Sequence, residues 1–361
     1  MEKRIIAVLG CGNGAHVMAA DLKLKGHIVR LYETPAFRGQ IESVFETKTI
    51  SVTGALKGTV TLDLVTDEIE RAVEGAHYVL VVTPAFAHAH YARLLKGKLH
   101  GDQMVIVFPG AFASLVFRRE FGGEDCPILA EANHLPYDAR LTGPGRVNLF
   151  DRNKINIAFL PNDKSSQIIG LLRDDLFPFE KLYADVLECG LSLVNPTLHA
   201  GPCLLNIGNI ERPDVNFFIY DQGITPSSAK IDIALDQERK ALGRKFGYDL
   251  TSLEEFTNLP RNFTWKDFYR ATHGDVDLTP IAGPNDIFNR YLTEDAPYGL
   301  VPWAAIGRLV GVDMPVTNGV IDIYNVIHER DWRSEGNNAT KLGLEGLGLE
   351  EIQKYVTSGN Y

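Results

Sequence analysis

The chain has 361 residues, 45% of them hydrophobic, and a formal net charge of −10. That length and apolar content support a large buried core and two domains rather than one. The acidic balance, with no Lys/Arg cluster, argues against a broad nucleic-acid surface, and no segment approaches the roughly 18 uninterrupted apolar residues of a membrane span.

Met-Glu-Lys-Arg runs directly into the first apolar stretch, so no secretory leader is separable from the fold and a cytoplasmic location is expected. The four cysteines, Cys11, Cys126, Cys189 and Cys203, are scattered without a Cys-x-x-Cys pair, so neither a disulfide framework nor a zinc site is expected.

Ile5 to Leu9 read as a buried strand that enters a Gly10-x-Gly12-x-x-Ala15 turn. Gly10 permits the tight turn, Gly12 lets the main chain approach a pyrophosphate, and the small Ala15 lets the next helix pack close. That helix is expected to begin near Gly14, with Asn13 beside it, aiming free N–H groups at phosphates. Its stripe of Val17, Ala20, Leu22 and Leu24 ends at Gly26. A second strand, Ile28 to Tyr32, closes with Glu33, roughly 20 residues beyond Gly10, the spacing of a ribose-binding acid. A carboxylate there accepts from a free 2′-hydroxyl and repels a 2′-phosphate, so NAD(H) is favoured, with Arg38 keeping NADP(H) as the alternative.

Ser51 to Val65 alternates and reads as a hairpin beside the main sheet. A helix at 68–73, a strand at Tyr78–Val82 and the turn Thr83-Pro84-Ala85 follow, then a helix to Leu95. A strand at Met104–Phe108 ends in Pro109-Gly110, and another is expected at Ile128–Ala130. This alternation predicts an α/β fold built on a Rossmann-type, doubly wound parallel sheet, with ligands beyond the carboxyl ends of the strands. Thr83, Pro84, Ala85 and Gly110 are therefore cofactor-binding candidates. A strand at Ile155–Leu160 and a helix at Lys164–Leu172 complete this half. From about Lys181 long helical patterns take over, such as Ser227–Phe246 with Ile231, Ala234, Leu235, Leu242 and Phe246 on one side. The expected division is residues 1–185 for dinucleotide binding and 186–361 for a helical catalytic and substrate domain.

Hydride transfer needs a partner for the proton, and histidine suits it near neutral pH. Among the ten histidines, His27, His77 and His100 read as surface residues, and His328 sits in a charged stretch. His16 lies in the first helix, facing cofactor or solvent. His88 and His90 read as solvated positions at a helix start, and His134 as a pocket residue after a strand. No pair has metal-ligand spacing with further partners, so no metal is expected. His199 stands in Val-Asn-Pro-Thr-Leu-His-Ala-Gly-Pro at the opening of the helical half, seven residues before Asn206. A polar cluster runs from Arg290 to Pro302 and includes Glu294 and Asp295.

The glycine turn, the Asn195–Asn206 segment around His199, Gly223-Ile224-Thr225-Pro226 before a long helix, and the Arg290–Pro302 segment together resemble the opine dehydrogenase family over nearly the whole length. That family includes the octopine, nopaline and N-(1-carboxyethyl)norvaline dehydrogenases. The resemblance implies a Rossmann domain, an all-helical C-terminal domain, and NAD(P)H-dependent reductive condensation of an amino acid with a 2-oxo acid such as pyruvate. It implies His199 as the catalytic histidine and Asp295 as the carboxylate that sets its tautomer and favours its protonated form. It implies Arg290 as the grip on the oxo-acid carboxylate, with Asn206 and His134 near substrate. The chain departs from the family's small hydroxyl residues at Glu131-Ala132-Asn133-His134, which leaves the oxo acid unspecified. The partners expected are small molecules, with no nucleic acid, no membrane and room for a homodimer. Two alternatives stay open: a reductase of a simple 2-oxo acid or ketone, for which a catalytic lysine such as Lys230, Lys240 or Lys245 would be expected, and a non-catalytic NAD-sensing protein.

Overall fold

The computed structural model describes residues 2–122, 126–212, 214 and 216–360. It divides into two compact units, Met1–Cys189 with Lys354–Tyr361, and Gly190–Gln353.

The first unit is built on a seven-stranded sheet. From one edge to the other its strands are Ile157–Leu160, Ile128–Ala132, Met104–Val107, Tyr78–Val81, Ile5–Leu9, Ile28–Tyr32 and Leu64–Thr66. All neighbours pair in parallel except the first two, which are antiparallel. Ile6, Val8, Leu80 and Ile106 are fully buried, as expected for strands covered on both faces. The order reverses at Ile5–Leu9, whose two neighbours are Ile28–Tyr32 and Tyr78–Val81, so its carboxyl end is the switch point where such sheets take ligands.

The stretch read as one hairpin divides its loyalties. Thr49–Gly54 and Gly58–Thr61 pair antiparallel, while Leu64–Thr66 joins the main sheet beside Ile28–Tyr32. A second hairpin, Tyr137–Gly143 with Arg146–Arg152, was not read from the sequence and completes a separate four-stranded sheet with the first. Asp21, buried in the helix Asn13–Leu24, ties this sheet down. It accepts the Tyr137 hydroxyl at 2.8 Å and two bonds from the Arg152 guanidinium at 2.9 Å each. The first helix is thereby held from the side opposite the main sheet.

The second unit is helical. Its longest helix, Pro226–Phe246, starts with a capping box, in which the Thr225 hydroxyl accepts from the Ser228 N–H and the Ser228 hydroxyl accepts from the Thr225 N–H. It ends at Gly247 in the left-handed conformation. Arg239 is fully buried on this helix, yet its charge is met by Asp236, the Leu191 carbonyl at 2.6 Å and the Ser252 hydroxyl at 2.9 Å. Glu238 of the same helix accepts the Val316 and Thr317 N–H groups, at 2.8 and 2.9 Å, and so caps the helix Pro315–His328. These bonds fix the frame in which the helix Asn195–Leu205 is held. Among the described residues no helix is long and apolar enough to cross a membrane.

Candidate active site

Gly10 ends the first strand at φ +100°, and a Cβ there would lie 2.6 Å from the Val82 carbonyl oxygen and 2.9 Å from the Thr83 methyl. Only glycine satisfies both the left-handed conformation and that approach. Gly12 then caps the helix Asn13–Leu24 with no side-chain bond to the helix end and no acid in the first turn. A Cβ at Gly12 would meet nothing within 4 Å. The first N–H groups of this helix carry the partial positive charge of its dipole, and an anion is the partner that charge favours. The close helix contact falls at Gly14, whose Cβ would be 2.3 Å from the Leu135 side chain, while Ala15 is fully buried behind it. Asn13 accepts the Leu141 N–H at 2.9 Å through its side-chain oxygen, which fixes the side chain at the helix entry.

Glu33 closes the second strand beside this turn. Its Oε1 accepts the Thr34 N–H at 2.7 Å, the Thr34 hydroxyl at 3.2 Å and the Tyr91 hydroxyl at 3.4 Å. Arg38 turns instead to Asp67 at 2.9 Å and Glu42 at 3.6 Å. Thr83, packed against Gly10, has a buried hydroxyl with no hydrogen-bond partner, the kind of orphan a bound cofactor would satisfy. Pro84 caps the short turn Ala85–Ala87. Gly110 has a packing reason of its own. A Cβ there would sit 2.5 Å from that of Glu131, whose buried carboxylate accepts the Phe112 and Ser114 N–H groups at 3.2 and 2.7 Å and caps the helix Ala113–Phe121.

His88 and His27, expected in solvent, are buried, and so is His328 of the charged stretch. His88 is 1% exposed, and burial pushes its pKa down to about 4. His27 lies between the Arg4 N–H at 3.2 Å and the Asp175 carbonyl at 2.8 Å. His328 accepts the Trp332 indole N–H at 2.9 Å and binds the Ile287 carbonyl through its other nitrogen. His16 is buried too, with Nδ1 3.0 Å from the Gly12 carbonyl oxygen. His134 stands just past the strand Ile128–Ala132. Burial of its ring pushes its pKa down to about 4, so near neutrality it offers an N–H and no charge.

In the helical unit the chemistry converges on His199. Its helix, Asn195–Leu205, has Pro196 in the first turn and Pro202 inside it. Pro202 lacks an N–H, so the bond to the Leu198 carbonyl is lost one residue from His199. The following main chain is secured from outside: the Tyr324 hydroxyl donates to the Ala200 carbonyl at 3.0 Å, and Asp232 accepts the Gly201 N–H at 3.1 Å. His199 is 5% exposed. Its Nδ1 lies 2.6 Å from Asp295 Oδ2, and its Nε2 lies 3.3 Å from the Tyr220 hydroxyl. With the carboxylate taking the proton on Nδ1, Nε2 is the nitrogen that exchanges a proton with a ligand. Tyr291 meets the ring edge-on with centroids 4.4 Å apart.

Asp295 leads directly into a π turn, Ala296–Leu300, and Tyr220 lies in another, Ile219–Gly223. Arg290 opens the short helix Arg290–Thr293, which packs on the His199 helix. Its side chain is 63% exposed, and Nε and Nη2 both contact one oxygen of Glu294 at 2.5 Å. Asn206 is tied inward: its amide donates to the Pro202 carbonyl at 2.8 Å and the Gly223 carbonyl at 3.3 Å. The structure therefore brings His199 and Asp295 together, sets Arg290 on an adjoining helix, and gives the Asn206 amide to the main chain. Tyr220 and Tyr291 were not read from the sequence. No spacing rule marks Tyr220, and only adjacency to Arg290 marks Tyr291. Of the lysines considered, Lys240 is paired with Asp236 and Glu254, and Lys230 lies over the Trp265 ring.

A family profile described as "NAD/NADP octopine/nopaline dehydrogenase, alpha-helical domain" matches residues 182–328. An opine dehydrogenase from Arthrobacter sp. (strain 1C) is 33% identical over 99% of this chain and 99% of its own. A solved octopine dehydrogenase with NADH and L-arginine superposes with a TM-score of 0.78 at 20% identity, covering 99% of each chain. Yersinopine dehydrogenase with NADP+ gives 0.76 at 14% identity, covering 98% of this chain and 99% of its own.

Proposed function

The chain belongs to the opine dehydrogenase family, and on that premise we propose that it joins the amine of an amino acid to the carbonyl carbon of a pyruvate-like 2-oxo acid and reduces the resulting imine. The product is a secondary amine bearing two carboxylates. The observation that carries this reading is the 2.6 Å contact between His199 Nδ1 and Asp295, held inside a helical unit with Nε2 turned to the Tyr220 hydroxyl.

The dinucleotide would be held by the open helix end at Gly12, by Glu33 at the ribose and by the orphaned Thr83 hydroxyl, and when bound it supplies the hydride. Glu33, whose carboxylate accepts from a free ribose hydroxyl and repels a 2′-phosphate, supports NAD(H) over NADP(H). Arg290 grips the oxo-acid carboxylate and orients its carbonyl. As the amine nitrogen bonds to carbon, the carbonyl electron pair moves to oxygen, and that oxygen takes a proton from His199 Nε2. The imidazole, now neutral, takes a proton from the added nitrogen and returns it to the hydroxyl, which leaves as water as the nitrogen lone pair forms the C=N bond; Asp295 stabilises the imidazolium each time it forms.

The test is NADH consumption by the purified chain with pyruvate, with and without a panel of amino acids. Turnover that needs both substrates supports condensation. Turnover with the oxo acid alone would mark a simple reductase, and NADH binding without turnover would mark a sensor.

A further inference from the structure

We propose that Tyr220 is a further catalytic residue, whose phenol O–H donates to the substrate carbonyl oxygen alongside His199 Nε2. The inference rests on the reading of the His199 site given above.

It follows from counting donors and acceptors. In the free protein Asp295 holds the proton on Nδ1, so Nε2 carries a lone pair and accepts from the Tyr220 hydroxyl at 3.3 Å. Burial, reinforced by Tyr291 and Asp295, pushes the phenol further above its ordinary range, so it stays a donor at every pH the enzyme meets. To act as an acid, His199 must gain a proton on Nε2. The Tyr220 oxygen can then accept from Nε2–H, but the phenol O–H, on a residue 5% exposed, loses its acceptor. A buried donor without a partner costs about 1–3 kcal/mol. A carbonyl oxygen has two lone pairs and can accept from both groups. It must come within about 3 Å of Nε2 to take its proton, which places it beside the phenol as well. When the amine adds, negative charge grows on that oxygen, both bonds strengthen, and the proton crosses from Nε2. After water leaves, the phenol returns to the neutral imidazole.

The main chain around Tyr220 is held as a donor of this kind requires. The carbonyl of Gly223, at the end of the Tyr220 π turn, accepts from the Ser228 hydroxyl at 2.7 Å and from the Asn206 amide at 3.3 Å. Ser228 belongs to the capping box of the long helix, and Asn206 closes the His199 helix. The turn that carries the phenol is thus clamped to the two helices around the imidazole. Asn206 acts here as a positioning residue.

The experiment compares the full chain with Tyr220→Phe, which removes one oxygen and keeps the ring, and with His199→Ala. Removing one preorganised donor to a developing oxyanion costs roughly 100-fold in kcat. Tyr220→Phe is expected to lose kcat on that scale in condensation and in the reverse reaction, to change the solvent isotope effect on kcat, and to keep the NADH Kd and unfolding midpoint. Wild-type kcat and isotope effect in Tyr220→Phe would overturn the proposal, as would a kcat loss matched by a loss of NADH affinity or stability. If His199→Ala also turns over normally, the reading of the whole site fails; if only His199→Ala is dead, the failure belongs to Tyr220 alone.

Discussion

Asp295→Asn isolates the contact on which the site depends. The replacement keeps the shape of the side chain and removes its charge. The bond is short, 2.6 Å, and its groups are largely shielded, with side-chain exposures of 7% for His199 and 14% for Asp295. A hydrogen bond of this kind to a charged group is worth about 1.5–3 kcal/mol. It strengthens when the imidazole is protonated, so its loss depletes the imidazolium that delivers the proton and lowers kcat without touching the NADH site. At about 1.4 kcal/mol per decade, kcat should fall by roughly 10- to 150-fold, with NADH affinity unchanged. A second effect acts in the same direction. The new amide can donate to Nδ1 and drive the proton onto Nε2, so that Nε2 no longer accepts from the Tyr220 hydroxyl 3.3 Å away. The assay is the initial rate of NADH consumption with both substrates saturating, beside a fluorescence titration of NADH. A kcat within about twofold of wild type, less than ~0.5 kcal/mol, would show that Asp295 does not support the reacting imidazole and would refute the reasoning.

Arg290→Ala should lower kcat/KM for the 2-oxo acid by roughly 10- to 100-fold, the worth of one charge-assisted grip, and leave the amino-acid KM nearly unchanged; an unaltered oxo-acid response would assign the carboxylate to another group. Glu33→Ala should weaken NADH by about tenfold or more and NADPH less, because the lost carboxylate favours only the free ribose hydroxyl; equal effects on the two titrations would contradict that placement. Glu131 gives stability a dependence on pH. Burial raises its pKa from 4.5 to about 7 against the bonds from Ser114 and Phe112. A folded pKa above the unfolded one means that the native state holds the extra proton, so its contribution is complete below 4.5 and is lost as pH rises through about 7. That shift corresponds to ~3 kcal/mol. Urea unfolding at pH values either side of this window should show wild type losing stability relative to Glu131→Gln as pH rises, and parallel curves would count against the assignment.

What the sequence discloses here follows the range of each interaction. The dinucleotide turn is legible because its demands are local: Gly10 must adopt φ +100° against the Val82 carbonyl, and the strand and helix on either side carry their own periodicity. The Arg290–Glu294 pair is equally local, since i,i+4 charges meet on a helical turn, and a structural ion pair is an alternative that the sequence leaves open for Arg290. The hairpin Tyr137–Gly143 with Arg146–Arg152 escaped because much of it is exposed and charged, leaving a short alternation around Gly-Pro-Gly as its trace. Burial of His27, His88 and His328 is decided by distant parts of the chain, so a polar residue near a turn or a charged stretch looks solvated until its partners are known. The dyad is the extreme case. His199 and Asp295 stand 96 positions apart, and no periodicity links them; only resemblance to a known family paired them. Both partners of the imidazole also come from π turns, Asp295 at the entry of one and Tyr220 within the other. A π turn widens the backbone by one residue and has no propensity signature, yet it is favoured where a side chain must be aimed at a functional group. The residues hardest to find by pattern are therefore those that the fold departs from regularity to place, and Tyr220 is the one whose removal would show whether that departure serves the reaction.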